Sequence, residues 1–553
     1  MATQIIGELK EYNAAVNTSR PSTGFIDLAT YDNVEKAMYG GSRTITYFMR
    51  ETVRSTWFSQ IPIQMQNSED DTGFGKNFTV TVSREGDYLM NAWLRVSLKG
   101  VSIYCPSDGN WTDPVGKGAE TLTWTPNFMH NLIESCSLKV NGMVVDELYS
   151  EHLDFLSAFT VPKSSRIGYN RMIGNFNSPF KGLGGVNVSG FPAWDPPNLN
   201  WQQELFLPLP FFFSKATGLA LPLTSLPYND IKIEFKFRPW RQLLASVNTD
   251  CSIVPVNVSQ VTTEFGYEEP RIENIQVWGN YAIVTENERK KIGCMKRDMI
   301  IEQNQQLGGC YGSKNLEVNT INSTTKIDLR LSGSVKAIFF AARNSSGTAD
   351  LPYRSNYTTS CPSASDITLA KISVSGVGIT AKITNSANAD SVAPININLN
   401  YDNLMTNDRA GLVWNTTVTD PIGSAKILYE NDTRMNMEAM YYSLIQPYQH
   451  ARNVPDSSAM KGIMSLPDPS EVSGQPALSV GYHMYSYALS LKNTHPNGST
   501  NFGELANASL VLKPSTSAVN NLQKGQGPWR VFIGAINQNV LRINKGAMNF
   551  PIL

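Results

Sequence analysis

Charge is what this chain has least of. Asp, Glu, Lys and Arg make up 17% of its 553 residues and leave a formal net charge of -1, where about 25% charged residues is ordinary for a soluble protein. A near-neutral chain has no general field to draw in phosphate backbones, which argues against sequence-independent nucleic-acid binding and predicts no direct contact with a genome. Histidine is scarce as well. His130, His152, His450, His483 and His495 are the whole supply, and no HExxH pair sets two imidazoles on one helical face for zinc. Each reads as a structural or exposed side chain. The cysteines (Cys105, Cys136, Cys251, Cys294, Cys310 and Cys361) are scattered without a CxxC pair, a distribution that favours reduced thiols over a metal cluster or a disulfide framework. Long apolar runs are missing: residues 206–213 form the densest, and they carry Pro208 and Pro210 and fall far short of the ~20 residues that cross a bilayer. Glu8, Lys10 and Glu11 interrupt the apolar stretch that a secretory signal would need, so the chain is expected to be made in the cytosol.

Catalytic patterns are equally thin. Gly73, Gly75 and Lys76 have a superficial look of a phosphate loop, but Asn77 stands where Ser or Thr would hold magnesium and the glycine spacing fails. A hairpin turn into a strand at Phe78 is the better reading. Residues 182–190 miss a dinucleotide fingerprint and read as a loop. Glu69, Asp70 and Asp71 lack the alternate-residue spacing of a calcium loop. No carboxylate pair singles itself out for glycoside hydrolysis. No catalytic, cofactor-binding or metal-binding residue is assigned, and the chain is read as a non-enzyme.

What is present is alternation. Ile231, Ile233, Phe235 and Phe237 interleave with Lys232, Glu234, Lys236 and Arg238; Phe78, Val80 and Val82 repeat the pattern, as do Ile327, Leu329 and Leu331, the residues 395–402, and Tyr485, Tyr487, Leu489 and Leu491. Period two puts one strand face on a core and the other in water, so antiparallel sheets packed as sandwiches are expected. Helical signals are few. Thr285 and Glu288 have the spacing of a capping box, and residues 33–39 and 151–159 are the other candidates. A chain this long exceeds one hydrophobic core, which predicts two domains of about 200–270 residues. The proline and charges of residues 266–271 place the boundary near 268, and residues 344–394, rich in Ser, Thr and Ala, read as a long loop in the second half. Arg289, Lys290, Lys291, Lys296 and Arg297 form the densest basic cluster, read as a solvated helix face or a contact for an acidic neighbour or lipid headgroups. Asn-x-Ser/Thr sequons recur, and Asn344 and Asn356 are weak candidate glycan acceptors.

Several segments, in one order down the chain, resemble a known family. They begin with residues 24–62 and continue through residues 86–96, residues 127–132 with Asn141 and Gly142, and residues 207–235, the most specific block. Residues 280–291, Ile301, Glu302 and Gln303, residues 327–344, 482–489, 501–510 and 540–543 complete the series. The chain resembles the major capsid proteins of nucleocytoplasmic large DNA viruses, of the iridovirus, ascovirus and marseillevirus kind. The resemblance implies an all-β fold of two consecutive eight-stranded antiparallel jelly rolls with long loops and a few short helices. The expected divisions are an N-terminal arm over residues 1–23, a first jelly roll over 24–268 and a second over 269–553. It further implies a homotrimer with a pseudo-hexagonal outline that tiles an icosahedral shell. Partners would be the chain itself, neighbouring trimers, minor capsid, cement and penton proteins, and inner membrane-associated proteins; assembly would occur in the host cytoplasm. Phe211, Phe212, Phe213, Leu219 and Leu221 are candidate core or subunit-interface residues. The alternative functional class is a carbohydrate-binding, lectin-like β-sandwich at a surface, with a jelly-roll hydrolase third. A ligand-free trimer would favour the first, and a glycan-binding monomer the second.

Overall fold

The computed structural model describes residues 54–67, 73–99, 121–125, 127–174, 202–247, 271–345, 420–454, 481–523 and 527–550, with short separate pieces elsewhere. By its internal contacts the chain divides into two units, residues 1–56 and 57–553. In the first, Phe25, Ile26, Leu28, Met38, Tyr39 and Phe48 are exposed. The arm expected over residues 1–23 lies outside the described residues, as does most of the helix expected over 33–39.

Sixteen principal strands build the second unit, eight in each half. The first eight are β1 (Phe58–Gln64), β2 (Asn77–Thr81), β3 (Tyr88–Lys99), β4 (Ile133–Val140), β5 (Met143–Tyr149), β6 (Gln202–Pro208), β7 (Ile231–Phe237) and β8 (Ile272–Val284). They pair in the orders β1-β8-β3-β6 and β2-β7-β4-β5, every pair antiparallel. The second eight are β9 (Arg297–Leu307), β10 (Thr325–Asp328), β11 (Ser334–Asn344), β12 (Ile422–Tyr429), β13 (Asp432–Glu438), β14 (His483–Ser486), β15 (Ala508–Pro514) and β16 (Trp529–Asn544). Their orders are β9-β16-β11-β14 and β10-β15-β12-β13. Each label in the second half is the first-half label plus eight, so the halves share one topology. Non-consecutive strands meeting across two sheets is the double Greek key of a jelly roll.

Local chemistry explains the individual strands. In β7, Ile231, Ile233, Phe235 and Phe237 are buried, while Glu234 and Lys236 reach across to Lys139 at 2.5 Å and to Glu134 at 2.8 Å. The β4–β5 turn consists of Asn141 and Gly142 alone, with φ of 51° and 81°. Two positive φ angles give the hairpin whose twist matches its strands, and Asn-Gly adopts them most easily. The corresponding β12–β13 turn has the same length and the same backbone, built from Glu430 and Asn431 at 49° and 72°. Topology therefore repeats where sequence does not.

Several expectations need correction. The boundary at 268 falls before β8, yet β8 lies between β1 and β3 of the first half, and the helix Glu286–Cys294 follows it before β9 begins. That helix has Thr285 at its cap position, but no side-chain cap hydrogen bond forms. Within the stretch read as a loop, the strands Leu369–Ser375 and Gly378–Thr384 pair as a hairpin, flanked by Ile395–Asn396 and Gly411–Leu412 in a four-stranded sheet. The strand expected over 395–402 is described only at Ile395–Asn396, and the alternation from Tyr485 to Leu491 spans a strand that ends at Ser486. Among the described residues no helix is long and apolar enough to cross a membrane.

Candidate assembly surfaces

The halves are joined through the helix that follows β5, α1 (Ser150–Thr160). It fills the space over the outer face of the β9-β16-β11-β14 sheet. Phe155 and Phe159 stack on Phe339 at 6.1 Å and 5.5 Å between ring centroids, and Phe155 meets Tyr482 edge-on. Gly534 lies beneath it, where a Cβ would stand 2.7 Å from the His152 ring. As a result β11 is buried on both faces: Ile338, Phe340 and Ala342 point into the second sandwich, and Ala337, Phe339 and Ala341 into a core shared with the first half.

Buried charge completes the joint. Glu151 of α1 pairs with Arg343 of β11 at 2.5 Å. Glu302 of β9 pairs with Lys215 of the first half at 2.8 Å and with Lys336 of β11. Asp146 of β5 accepts from the backbone and side-chain amides of Asn304 in β9 at 2.9 and 3.1 Å, and His152 meets the same Asn304 at 2.9 Å. Burial opposes ionisation of Glu151, but Arg343 and Arg238 outweigh it and hold the carboxyl below its usual value. Lys215 and Lys336 overcome burial at Glu302 in the same way. Asp146 has no such cation in contact: burial pushes it up to about 6 against the bonds from Asn304. Burial, helped by Lys215, drops His152 to about 3, so its ring stays neutral. Glu151, Glu302, Asp146 and His152 are all buried, and each is held by a partner from the other half. Among the described residues no cluster of metal-ligating side chains occurs.

The residues singled out from sequence fall as follows. Phe211, Phe212, Phe213 and Leu221 are fully buried within the single chain, and Leu219 packs half-buried against the same core. Asn344 lies at the end of β11 paired with Trp529 and is only 7% exposed, which removes it as a glycan acceptor; Asn356 lies outside the described residues. The basic cluster is spent largely at home: Arg289 makes a two-point contact with Asp87 at 2.7 and 3.0 Å, Lys290 pairs with Glu286, and Arg297 donates to the Gly218 carbonyl. Sequence reasoning missed Glu151, Asp146 and Asn304, which no local pattern marks, because their partners lie more than 150 residues away.

Among the described residues, two surfaces gather aromatic or apolar side chains facing outward. The outer face of the β1-β8-β3-β6 sheet presents Trp93 stacked on Trp278 at 6.5 Å, with Phe206 beside them. Following β13, a π-helical segment runs through Tyr441–Ile445 and Pro447–Ala451. Tyr442 and Gln446 anchor it inward, and Met440, Leu444, Ile445 and Tyr448 are exposed outward, Tyr448 at 73%. Exposed aromatic and Met side chains gathered on one face are the composition of an interface core.

Comparison with known proteins agrees with this architecture. A family model described as the major capsid protein N-terminus matches residues 46–284. A second, the large eukaryotic DNA virus major capsid protein, matches 288–471 and 467–549. The chain is 35% identical to the major capsid protein of Costelytra zealandica iridescent virus, over 98% of this chain and all of that one. It is 34% identical to that of Frog virus 3, with the same coverage. Among solved structures, the PBCV-1 virus capsid shares the fold at a TM-score of 0.58 and 21% identity, over 92% of this chain and all of the other. The Faustovirus major capsid protein does so at 0.56 and 14%, over 91% and 93%. Two like sandwiches in one chain, matched along nearly its whole length, place it in the family of major capsid proteins of large eukaryotic DNA viruses.

Proposed function

We propose that three copies of this chain close into a pseudo-hexagonal block that tiles an icosahedral shell and works by assembly, without turnover. The observation that carries this reading is the repeated strand order: a chain with two sandwiches of one topology supplies two similar wedges, and three chains supply six. The buried joint of Glu151, Glu302 and Asp146 supports it, because a tile must transmit lateral load without hinging.

Connection lengths support an orientation as well. Residues 100–132, 150–201 and 238–271 follow odd-numbered strands of the first half, and 345–421, 439–482 and 515–528 do so in the second. The connections after even-numbered strands are shorter on the whole, from two residues at 141–142 and 430–431 to 22 at 209–230 and 21 at 487–507. In a jelly roll alternate connections gather at opposite ends, so the long ones, with the sheet of residues 369–412, form the outward tower and the short ends face inward. Contacts between blocks are individually weak and gain strength from many simultaneous neighbours. Minor capsid, cement and penton proteins, and membrane-associated proteins beneath, are the expected partners, and assembly takes place in host cytoplasm.

Light scattering on the purified chain tests the block: a mass three times the 61.1 kDa of one copy is expected without added ligand. Electron micrographs should show a six-cornered outline. A stable monomer at high concentration would end this reading.

A further inference from the structure

The two halves differ in one respect that their shared topology makes informative. In each, a helical segment directly follows the fifth strand: α1 after β5, and residues 439–451 after β13. In each, the sheet that holds the first strand turns an outer face away from its own sandwich. Over the second half that face is covered, and the cover is the first half's helix, α1, seated between the sheet and the 447–451 segment. Over the first half no described residue takes the matching place. A recess of about 840 Å³ lies there, floored by Trp93, Phe206 and Pro208 and walled by Leu156, Val161 and Met172. The helix that could fill it by the same rule is 439–451, whose outward face is apolar and covered by nothing among the described residues.

We infer that the 439–451 segment of one copy docks into this recess on the next, with Leu444 and Tyr448 against the Trp93–Trp278 face. The contact between halves inside one chain is thus repeated between chains: first half to second, then second half to the next copy's first. A head-to-tail contact of this kind joins different surfaces on the two copies and closes into a ring when the rotation permits. The chemistry fits, since four of the five exposed positions of the helix bring Met, Leu, Ile and Tyr and the fifth is the uncharged Gln449, and the recess offers Trp93, itself stacked on Trp278, with Phe206 and Pro208. Aromatic anchors entering a preformed apolar pocket are where association energy concentrates. The inference rests on the three-copy block proposed above and adds which surfaces build it.

Two full-length variants test it. Leu444→Asp with Tyr448→Asp spoils the helix face, and Trp93→Asp with Trp278→Asp spoils the recess. Each should remain folded by circular dichroism and scatter light as a monomer, with association weakened at least about 30-fold, the factor for ~2 kcal/mol at a single anchor. Mixed in equal amounts, they retain one intact pairing, the helix of the recess variant in the recess of the helix variant, so the mixture should yield dimers that cannot close into trimers. If either variant still trimerises, the surfaces are wrongly assigned while the block itself survives. If both are folded monomers but their mixture gives no dimer, the pairing is wrong. If trimers persist and only protease cleavage within residues 1–56 of the recess variant changes, the chain's own arm occupies the recess and the inference falls. A monomeric wild type sinks the block instead.

Discussion

Among the described residues the sheet β9-β16-β11-β14 is wrapped on both faces, and its counterpart β1-β8-β3-β6 on one, although strand order and direction are the same. The residues at matching outer positions record the difference. β11 carries Ala337, Phe339 and Ala341, all buried, whereas β3 carries Asn91, Trp93 and Arg95, exposed or half-buried. A strand covered twice reads as a continuous apolar run, one covered once as an alternation. One fold thus serves two environments, and the neighbour, not the topology, decides which side chains an outer face needs.

The largest test of that contrast lies in the buried joint. Glu151→Gln leaves Arg343 and the buried Arg238 without their shared carboxylate, and breaking such a pair costs about 3–5 kcal/mol. Urea unfolding should record that loss, and an unchanged midpoint would mean that the halves are not held by this charge. Phe339→Ala on the covered face should cost about 3–5 kcal/mol in the same assay, while Trp93→Ala on the open face should cost the dissociated chain far less. Equal costs would erase the distinction between the faces.

Acid should loosen the joint before the sandwiches. Glu151 and Glu302 are held below their usual range, so their contribution is complete above the unfolded value of 4.5 and is lost as pH falls through the lowered folded values. His152 acts in the same direction, because below 6.5 the unfolded chain takes up a proton that the folded ring refuses until about 3. Asp146 opposes them: its folded value near 6 lies above the unfolded 3.8, so its penalty builds between those values and is full above them. Melting temperature should therefore fall from pH 6 to pH 3, and Asp146→Asn should gain on the wild type as pH rises from 4 to 7. A flat profile would contradict the assignment of charge to this joint.

The smallest effect compares the two hairpin turns. Asn431→Gly relieves a positive φ of 72° in the β12–β13 turn and should stabilise by up to roughly 1 kcal/mol, whereas Gly142→Ala in the β4–β5 turn, at 81°, should destabilise by a similar amount. Thermal shifts of opposite sign are the expected result.

Much of the fold was legible because its causes are local. The alternation of Ile231 to Phe237 and the apolar face of residues 151–159 depend on neighbours a few positions away, and both elements stand where the pattern places them. The ordered family segments carried the jelly-roll assignment where periodicity reached only as far as sandwiches. β8 misled because nothing local says which half a strand will pair with. Asn344 misled because a sequon is three residues long and burial is not.

Sequence alone determined that this chain is all β, near-neutral and built in two halves, since composition and period-two spacing are properties of the chain as written. Only the tertiary structure decided that α1 crosses to the second half, that Glu151, Glu302 and Asp146 become its lock, and that one sheet face stays bare among the described residues. Those outcomes depend on contacts between residues far apart in the chain, 87 positions for Glu302 with Lys215 and 192 for Glu151 with Arg343, and burial, which sets both their energies and their titration, exists only once the chain has closed around them.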